Sequence, residues 1–206
     1  MLESFFKQSK PMLFRRKETI TGSNDPNRIF YLNQGFIRLY TISKKGSELT
    51  LHIFTPTSLF PILWDKTDES DQYYYESLTP VEVYKKEKKE LQQFVLQDPA
   101  AGQEIMQQLS SFSKSAIKKL QYKILGTAYQ QVVATILNMA NCFGQETKTG
   151  TVLTYWFTHQ DIAHLVGSSR ERVTIEIDNL LKKRLITYDN HFISIPQLEL
   201  LKSEIE

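Results

Sequence analysis

The sequence contains little of what specialised chemical sites require. Its 206 residues include one cysteine, Cys142, which excludes an intramolecular disulfide and a cysteine-rich metal or iron–sulfur site. The four histidines, His52, His159, His164 and His191, are scattered, and the sequence has neither a glycine-rich phosphate loop nor a metal-ligand spacing. We therefore expect a protein that is not an enzyme and that holds no metal and no cofactor.

Long hydrophobic runs are also missing. No apolar stretch approaches the ~18 residues that span a bilayer, and the first 14 residues, MLESFFKQSKPMLF, lack the apolar core of a signal peptide. Together with the low cysteine content, this predicts a cytoplasmic protein with no membrane partner. The net charge of +2 is only a weak indication of nucleic-acid binding, so any such affinity should be moderate and sensitive to salt.

Apolar residues are nevertheless sufficient for real cores, because 41% of the chain is hydrophobic and 12% is aromatic. Between residues 29 and 54, turn clusters separate three strand-like segments, IFYL, FIRLYTI and ELTLHIF, the last of which alternates apolar and polar residues; this is typical of a sandwich or barrel. We predict that they form a β-meander and that Val81–Tyr84 is the last strand. Residues 1–27 are predicted to be irregular, and Lys85–Lys89 a solvated connection.

The stretch Thr158–Ile186 predicts a helix, a tight turn and a second helix. Thr158 and Asp161 have the spacing of a capping box at the start of the first helix. Gly167 supplies the permissive backbone that lets the chain turn after it.

The second helix has its own start signals. Ser168 and Ser169 are both suitable N-cap residues, and Glu171 has the spacing to complete a box with Ser168. The face opposite its apolar stripe carries groups that can reach base edges in a DNA major groove. These residues are Arg170, Glu171, Arg172 and Thr174.

A hairpin is predicted directly after the second helix. Leu185–Tyr188 and His191–Ile195 are short apolar-rich runs, and Asp189-Asn190 between them suits a tight turn. The alternative to DNA binding is an ordinary helical hairpin with a solvated charged face. An ordinary helical hairpin gives no reason to expect a β-hairpin directly after it, whereas a winged helix-turn-helix requires a β-hairpin at this place.

The run THQDIAHLVGSSRERV, residues 158–173, resembles the DNA-binding signature of the Crp/Fnr superfamily of bacterial transcription regulators. The resemblance implies that Arg170 and Glu171 read bases and that Thr158, Gln160 and Ser169 contact phosphates. The full predicted DNA-binding set is Thr158, Gln160, Ser168, Ser169, Arg170, Glu171, Arg172, Thr174 and Ile175.

The chain departs from this family at Ile175. Cyclic-AMP-responsive members place a second base-reading arginine five residues after the first, where this chain has isoleucine. An apolar side chain cannot donate to guanine, although it can pack on a thymine methyl group. The preferred DNA sequence should therefore differ from that of those relatives.

A long helix is predicted to begin at Asp98-Pro99, an N-cap followed by proline in the first turn. Its apolar residues recur in steps of four and three, which approximates a coiled-coil seam. Packing on the chain's own β-domain is the alternative, but a dimer would present two reading helices to a two-fold operator. The predicted dimer interface comprises Ile105, Leu109, Phe112, Ala116, Leu120 and Ile124.

The segment YLNQGFIRLYTISKKGSELTLHIFTPTSLF, residues 31–60, resembles the first half of the cyclic-nucleotide-binding jelly roll of Crp/Fnr regulators. The implied fold is α+β: a jelly-roll domain over residues 1–97, a dimerisation helix over 98–126, and a winged helix-turn-helix domain over 127–206. The implied partners are a double-stranded DNA operator and a second copy of the chain, with RNA polymerase as a further candidate.

The effector site is where the likeness fails. Members that bind a cyclic nucleotide follow the Leu-Phe element with Gly-Glu and later supply an arginine for the phosphate. This chain has Pro61-Ile62 after Leu59-Phe60, and Asp68, Glu69 and Asp71 where the arginine would fall. A carboxylate repels phosphate and proline removes a backbone donor, so we predict no response to cyclic AMP.

An unknown small-molecule effector remains open. Trp64, Tyr73, Tyr74 and Tyr75 are candidate lining residues for its pocket, although such a cluster in a β-domain also suits a core. The alternative function for the whole chain is accordingly an effector-binding signalling module without specific DNA binding.

Overall fold

The computed structural model describes residues 1–21, 27–61 and 73–205. The chain divides into two compact units, Met1–Ala116 and Ile117–Glu206, called here the β unit and the C-terminal unit. Their border falls inside one long helix, so each unit contains part of it. Among the described residues, no helix has the length and apolarity to cross a membrane.

The β unit is built from two four-stranded antiparallel sheets with strand orders β1-β8-β3-β6 and β2-β7-β4-β5. The strands are β1 Pro11–Phe14, β2 Thr19–Thr21, β3 Arg28–Gln34, β4 Ile37–Ile42, β5 Glu48–Phe54, β6 Leu59–Phe60, β7 Tyr73–Ser77 and β8 Val81–Glu87. Both sheets contribute buried side chains to one core, in which Phe60 stacks on Phe30 at 5.2 Å and on Tyr75 at 5.6 Å between ring centroids. The predicted sandwich is confirmed.

The predicted β-meander is wrong. β3 and β4 are consecutive, but they lie in different sheets, so of the three predicted strands β4 and β5 alone form a hairpin. The partners of β3 are β6 and the distant β8. Local alternation marks each strand but carries no information on such distant pairing.

Two further expectations for the β unit are also wrong. The first 20 residues contain a helix, α1 (Leu2–Phe6), and a strand that pairs with β8. No residue of the run Lys85–Lys89 is buried, as expected of a solvated segment. The run is not a connection, however, because β8 continues to Glu87 and helix α2 (Lys88–Gln97) begins at the next residue. Both helices are held by a second core, in which Phe5 stacks on Phe94 at 4.3 Å.

The long helix α3 spans Pro99–Leu125, close to its predicted start. Two of the six predicted dimer residues pack inside the β unit: Ile105 lies against the second core, and the Phe112 ring contacts His52 at 4.9 Å. These contacts favour the alternative reading for those two positions. Several other apolar side chains on α3 are exposed in the single chain, namely Met106, Leu109, Ile117, Leu120, Ile124 and Leu125.

The C-terminal unit surrounds a third core. Its elements after α3 are α4 Ala128–Phe143, β9 Gly144–Thr147, β10 Gly150–Leu153, α5 His159–Val166, α6 Arg170–Lys182, β11 Thr187–Asp189, β12 Phe192–Ile195 and α7 Leu198–Ser203. A capping box between Thr127 and Gln130 begins α4, whose buried face contacts α5, α6 and α7. The four strands form one antiparallel sheet in the order β11-β12-β10-β9.

Candidate nucleic-acid interface

Helix α5 begins as the sequence predicts. The backbone N–H and hydroxyl of Thr158 donate to Asp161 Oδ2 at 2.8 and 2.7 Å, and the Asp161 N–H donates to Thr158 Oγ1 at 3.1 Å. The predicted capping box is therefore confirmed. The apolar face of the helix is buried, which fixes α5 in the unit; it consists of Ile162, Ala163, Leu165 and Val166.

The turn after α5 depends on Gly167, which has φ +71° in the left-handed region. The Gly167 and Ser168 N–H groups both donate to the Ala163 carbonyl, at 2.8 and 3.1 Å. The Lys123 ammonium donates to the Gly167 carbonyl at 2.7 Å. A cation thus satisfies the negative end of α5 and ties the end of α3 to the turn within this unit.

The start of α6 differs from the prediction by one residue. Ser169 is the N-cap, and its hydroxyl accepts from the Arg172 N–H at 3.3 Å. The predicted box between Ser168 and Glu171 is wrong, because the Ser168 backbone is engaged in ending α5. Hydrogen bonds from its own N–H and from Ser169 lower the pKa of Glu171, which keeps the carboxylate ionised and ready to accept.

Helix α6 has one buried and one exposed face. Val173, Ile177 and Leu180 are fully buried. The residues at i, i+1, i+2, i+5 and i+8 of the helix are exposed, namely Arg170, Glu171, Arg172, Ile175 and Asp178. The first turn of α6 therefore presents two guanidinium groups and a carboxylate to solvent, at a helix N-terminus that favours anions.

Thr174, predicted to read bases, uses its hydroxyl inside the protein. The hydroxyl donates to the Arg170 carbonyl at 2.9 Å and lies 2.8 Å from His159 Nδ1. The other ring nitrogen of His159 lies 3.2 Å from the Tyr188 hydroxyl. His159 thus links α6 to β11, a role that the sequence did not suggest.

The predicted wing is confirmed as a hairpin of β11 and β12, but its turn is shifted by one residue. Asp189 pairs with Phe192, so the two-residue loop is Asn190-His191, with φ +46° and +72°. Positive φ at both positions is the geometry of a tight hairpin turn, and asparagine tolerates it. The exposed Trp156 ring lies 6.2 Å from His191.

The remaining predicted DNA-binding residues lie on the same two helices or at their ends. Gln160 is exposed on α5, with its amide nitrogen 2.7 Å from His164 Nε2. Ser168 and Arg172 line a cleft together with Lys123, Thr127 and Gln131. All nine predicted residues thus lie on α5, on α6 or at the ends of these helices, and their contacts with DNA stay a prediction.

Not every cation near α6 is available to DNA. The Lys183 ammonium donates to Glu204 at 2.6 Å and to the Tyr129 hydroxyl at 3.1 Å, which ties α6 to α4 and to the residue following α7. Hydrogen bonds from Lys183 and Tyr129 lower the pKa of Glu204. Within the described residues, no group of His, Cys, Asp or Glu side chains is placed to hold a metal ion.

The candidate effector residues do not converge. Tyr75 is buried in the core between the two sheets, and Tyr73 packs against the same core. Tyr74 lies on the opposite face of β7, where it stacks on Tyr40 at 5.3 Å. Tyr74 and Tyr75 therefore cannot line one pocket, and Trp64 lies outside the described residues.

Comparison with known proteins agrees with this architecture. Residues 11–98 match the cyclic nucleotide-binding domain family and residues 130–204 match the Crp-like helix-turn-helix domain family. The predicted fold class is confirmed: a jelly-roll domain, a long helix and a C-terminal winged helix-turn-helix.

Relatives share most of the chain. The Global nitrogen regulator of Nostoc sp. is 27% identical over 88% of this chain and 83% of its own length, and the Anaerobic regulatory protein of Bacillus subtilis is 25% identical over 88% and 77%. A CooA mutant from Carboxydothermus hydrogenoformans superposes with a TM-score of 0.81 at 16% identity, covering 98% of this chain and 90% of that one. The chain therefore belongs to the Crp/Fnr superfamily of transcription regulators and is not an enzyme.

Proposed function

We propose that the protein is a homodimer that binds a two-fold DNA operator, with Arg170 and Glu171 of each copy reading base edges in the major groove. The observation that carries this proposal is the exposed first turn of α6, which is held by the Ser169 cap and by a fully buried opposite face. A guanidinium group suits the two acceptors of guanine, and a carboxylate accepts from the cytosine amino group.

Phosphate contacts would set the register of this helix on the duplex. Thr158, Gln160 and Ser169 are exposed near the starts of α5 and α6, where backbone N–H groups and hydroxyls commonly bind phosphate oxygens. The hydroxyls of Thr158 and Ser169 already serve as helix caps. Their contribution to DNA is therefore mainly positional and independent of sequence.

Dimerisation would use the exposed stripe of α3. Four of the six predicted residues are exposed and stay in the proposed interface, namely Leu109, Ala116, Leu120 and Ile124. The exposed Met106 and Ile117 join them, whereas Ile105 and Phe112 are left out because they pack inside the β unit. The spacing of the exposed set is close to a heptad seam, which supports pairing of two α3 helices. We retain the division into residues 1–97, 98–126 and 127–206, with α3 as the middle segment.

We further propose that cyclic AMP is not the effector. Aromatic side chains fill the space between the two sheets of the β unit. The Arg38 guanidinium is engaged with Glu48 and Glu76, both at 2.9 Å, so it is not available for a phosphate. The acidic residues at positions 68, 69 and 71 also argue against phosphate binding on sequence grounds, but they lie outside the described residues. A clear thermal stabilisation by cyclic AMP would overturn this part of the proposal.

The proposal is tested by selecting duplexes from random DNA with the full chain. The expected product is an inverted repeat with half-site centres about 10 base pairs apart, since two α6 helices would enter successive major grooves. Enrichment of a single unrepeated site would contradict the dimer. No enrichment, combined with stabilisation by a small molecule, would favour the alternative of an effector-binding module without specific DNA binding.

A further inference from the structure

We propose that Ile175 is a specificity-determining residue that recognises the methyl group of a thymine in each operator half-site. The inference rests on the proposed function, because it requires that α6 lies in the major groove. It goes further by naming a chemical group on the DNA that the protein distinguishes.

Ile175 lies on the face of α6 that also carries Arg170 and Glu171. It lies four residues after Glu171, so the two side chains are neighbours on the same helix surface. Ile175 is 58% exposed, and it lies in the middle of a face that is otherwise polar. A helix that presents Arg170 and Glu171 to base edges would bring Ile175 to the next base pair or two along the groove.

The core of the C-terminal unit does not require an apolar side chain at position 175. Val173, Ile177 and Leu180 form the buried stripe of α6 and are each 0% exposed. Isoleucine is also a poorer helix former than the residues usual on a helix surface. A single exposed aliphatic residue is ordinary elsewhere on a protein, but here it stands among the groups that would face the bases.

The polar side chains of Thr174 and Asp178, near Ile175 on α6, offer no free hydrogen-bond donor to a base. The Thr174 hydroxyl is occupied by the Arg170 carbonyl and by His159, so it does not offer a free donor beside Ile175. Asp178, one turn further on, is exposed and can only accept when ionised.

The chemistry of the major groove then selects the base. Thymine is the only base that presents an apolar group there, its C5-methyl. At the major-groove edge of any other base, an isoleucine would displace water from polar groups and would offer them no hydrogen bond in return. The surface of α6 thus predicts a half-site that combines guanine and cytosine contacts with an adjacent thymine.

The test uses a selected duplex and replaces each thymine, in both half-sites at once, by deoxyuridine, which removes only the methyl group. At one thymine position the loss of affinity should be about fourfold per half-site, the equivalent of burying one methyl group. The same replacement should cost the Ile175→Ala variant markedly less, because truncation at Cβ removes most of the apolar surface that would pack on the methyl group. Leu200→Ala, which truncates an exposed leucine of α7, is the matched control and should respond like wild type.

The outcomes separate the inference from the proposed function. Specific binding that is indifferent to deoxyuridine at every position, or that loses equal affinity in wild type and Ile175→Ala, would overturn the role of Ile175 and leave operator binding intact. Absence of any selected duplex would instead overturn the proposed function. A second variant, Ile175→Arg, should shift the selected base at that position from thymine towards guanine.

Discussion

Truncating Leu120 to alanine should weaken the dimer without unfolding the chain. Leu120 lies on α3 and is 58% exposed in the single copy, so its removal leaves no internal cavity. If the exposed part is buried against the partner, its loss costs about 1 kcal/mol per copy, since complete burial of a leucine contributes about 1.5–3 kcal/mol. Two copies contribute to each interface, so the dissociation constant should rise roughly 30-fold.

Sedimentation equilibrium over a range of protein concentrations measures this dissociation constant. Leu96→Ala is the matched control, because Leu96 is an 84% exposed leucine on α2, outside the α3 stripe, and its truncation should leave the constant unchanged. An equal effect of the two substitutions, or none from Leu120→Ala, would refute the assignment of the interface. A variant that dimerises weakly should also bind the inverted repeat more weakly at protein concentrations below its dimer dissociation constant.

Two further predictions concern the stability of the C-terminal unit. Ser169→Ala should remove the cap of α6 at a cost of about 1 kcal/mol, seen as faster amide hydrogen exchange in its first turns, whereas Ser168→Ala should change little because Ser168 caps no helix. The pKa of Glu204 lies below its ordinary value of 4.5 because Lys183 and Tyr129 donate to it, so its contribution is full above pH 4.5 and is lost as the pH falls through the lowered pKa. Urea denaturation of Glu204→Gln should show less loss of stability below pH 4.5 than wild type, and identical acid profiles would refute the role of the ion pair.

Local signals predicted the helix-turn-helix well. The Thr158 box and the left-handed Gly167 depend on neighbours within a few residues, and both are present in the structure. The one-residue errors at Ser169 and at the Asn190-His191 turn arose where two adjacent residues suit the same role. Only the backbone hydrogen bonds decide between such neighbours.

Contacts between distant residues were not predictable in this way. The pairing of β3 with β8 and the ties from Lys123 to Gly167 and from His159 to Tyr188 join residues that are far apart in sequence. The same holds for α3, where periodicity identified apolar positions but could not separate those that face the β unit from those that remain exposed.

Mobility-shift titrations of wild type and Arg170→Ala, on the selected operator and on a random duplex of equal length, measure whether Arg170 reads bases. The substitution should cost about 1–3 kcal/mol per half-site on the operator and little on random DNA. The control variant Arg28→Ala, in an ion pair of the β unit, should bind both duplexes like wild type. Equal losses on both duplexes for Arg170→Ala would show that this side chain contacts only the DNA backbone, which would contradict the central claim.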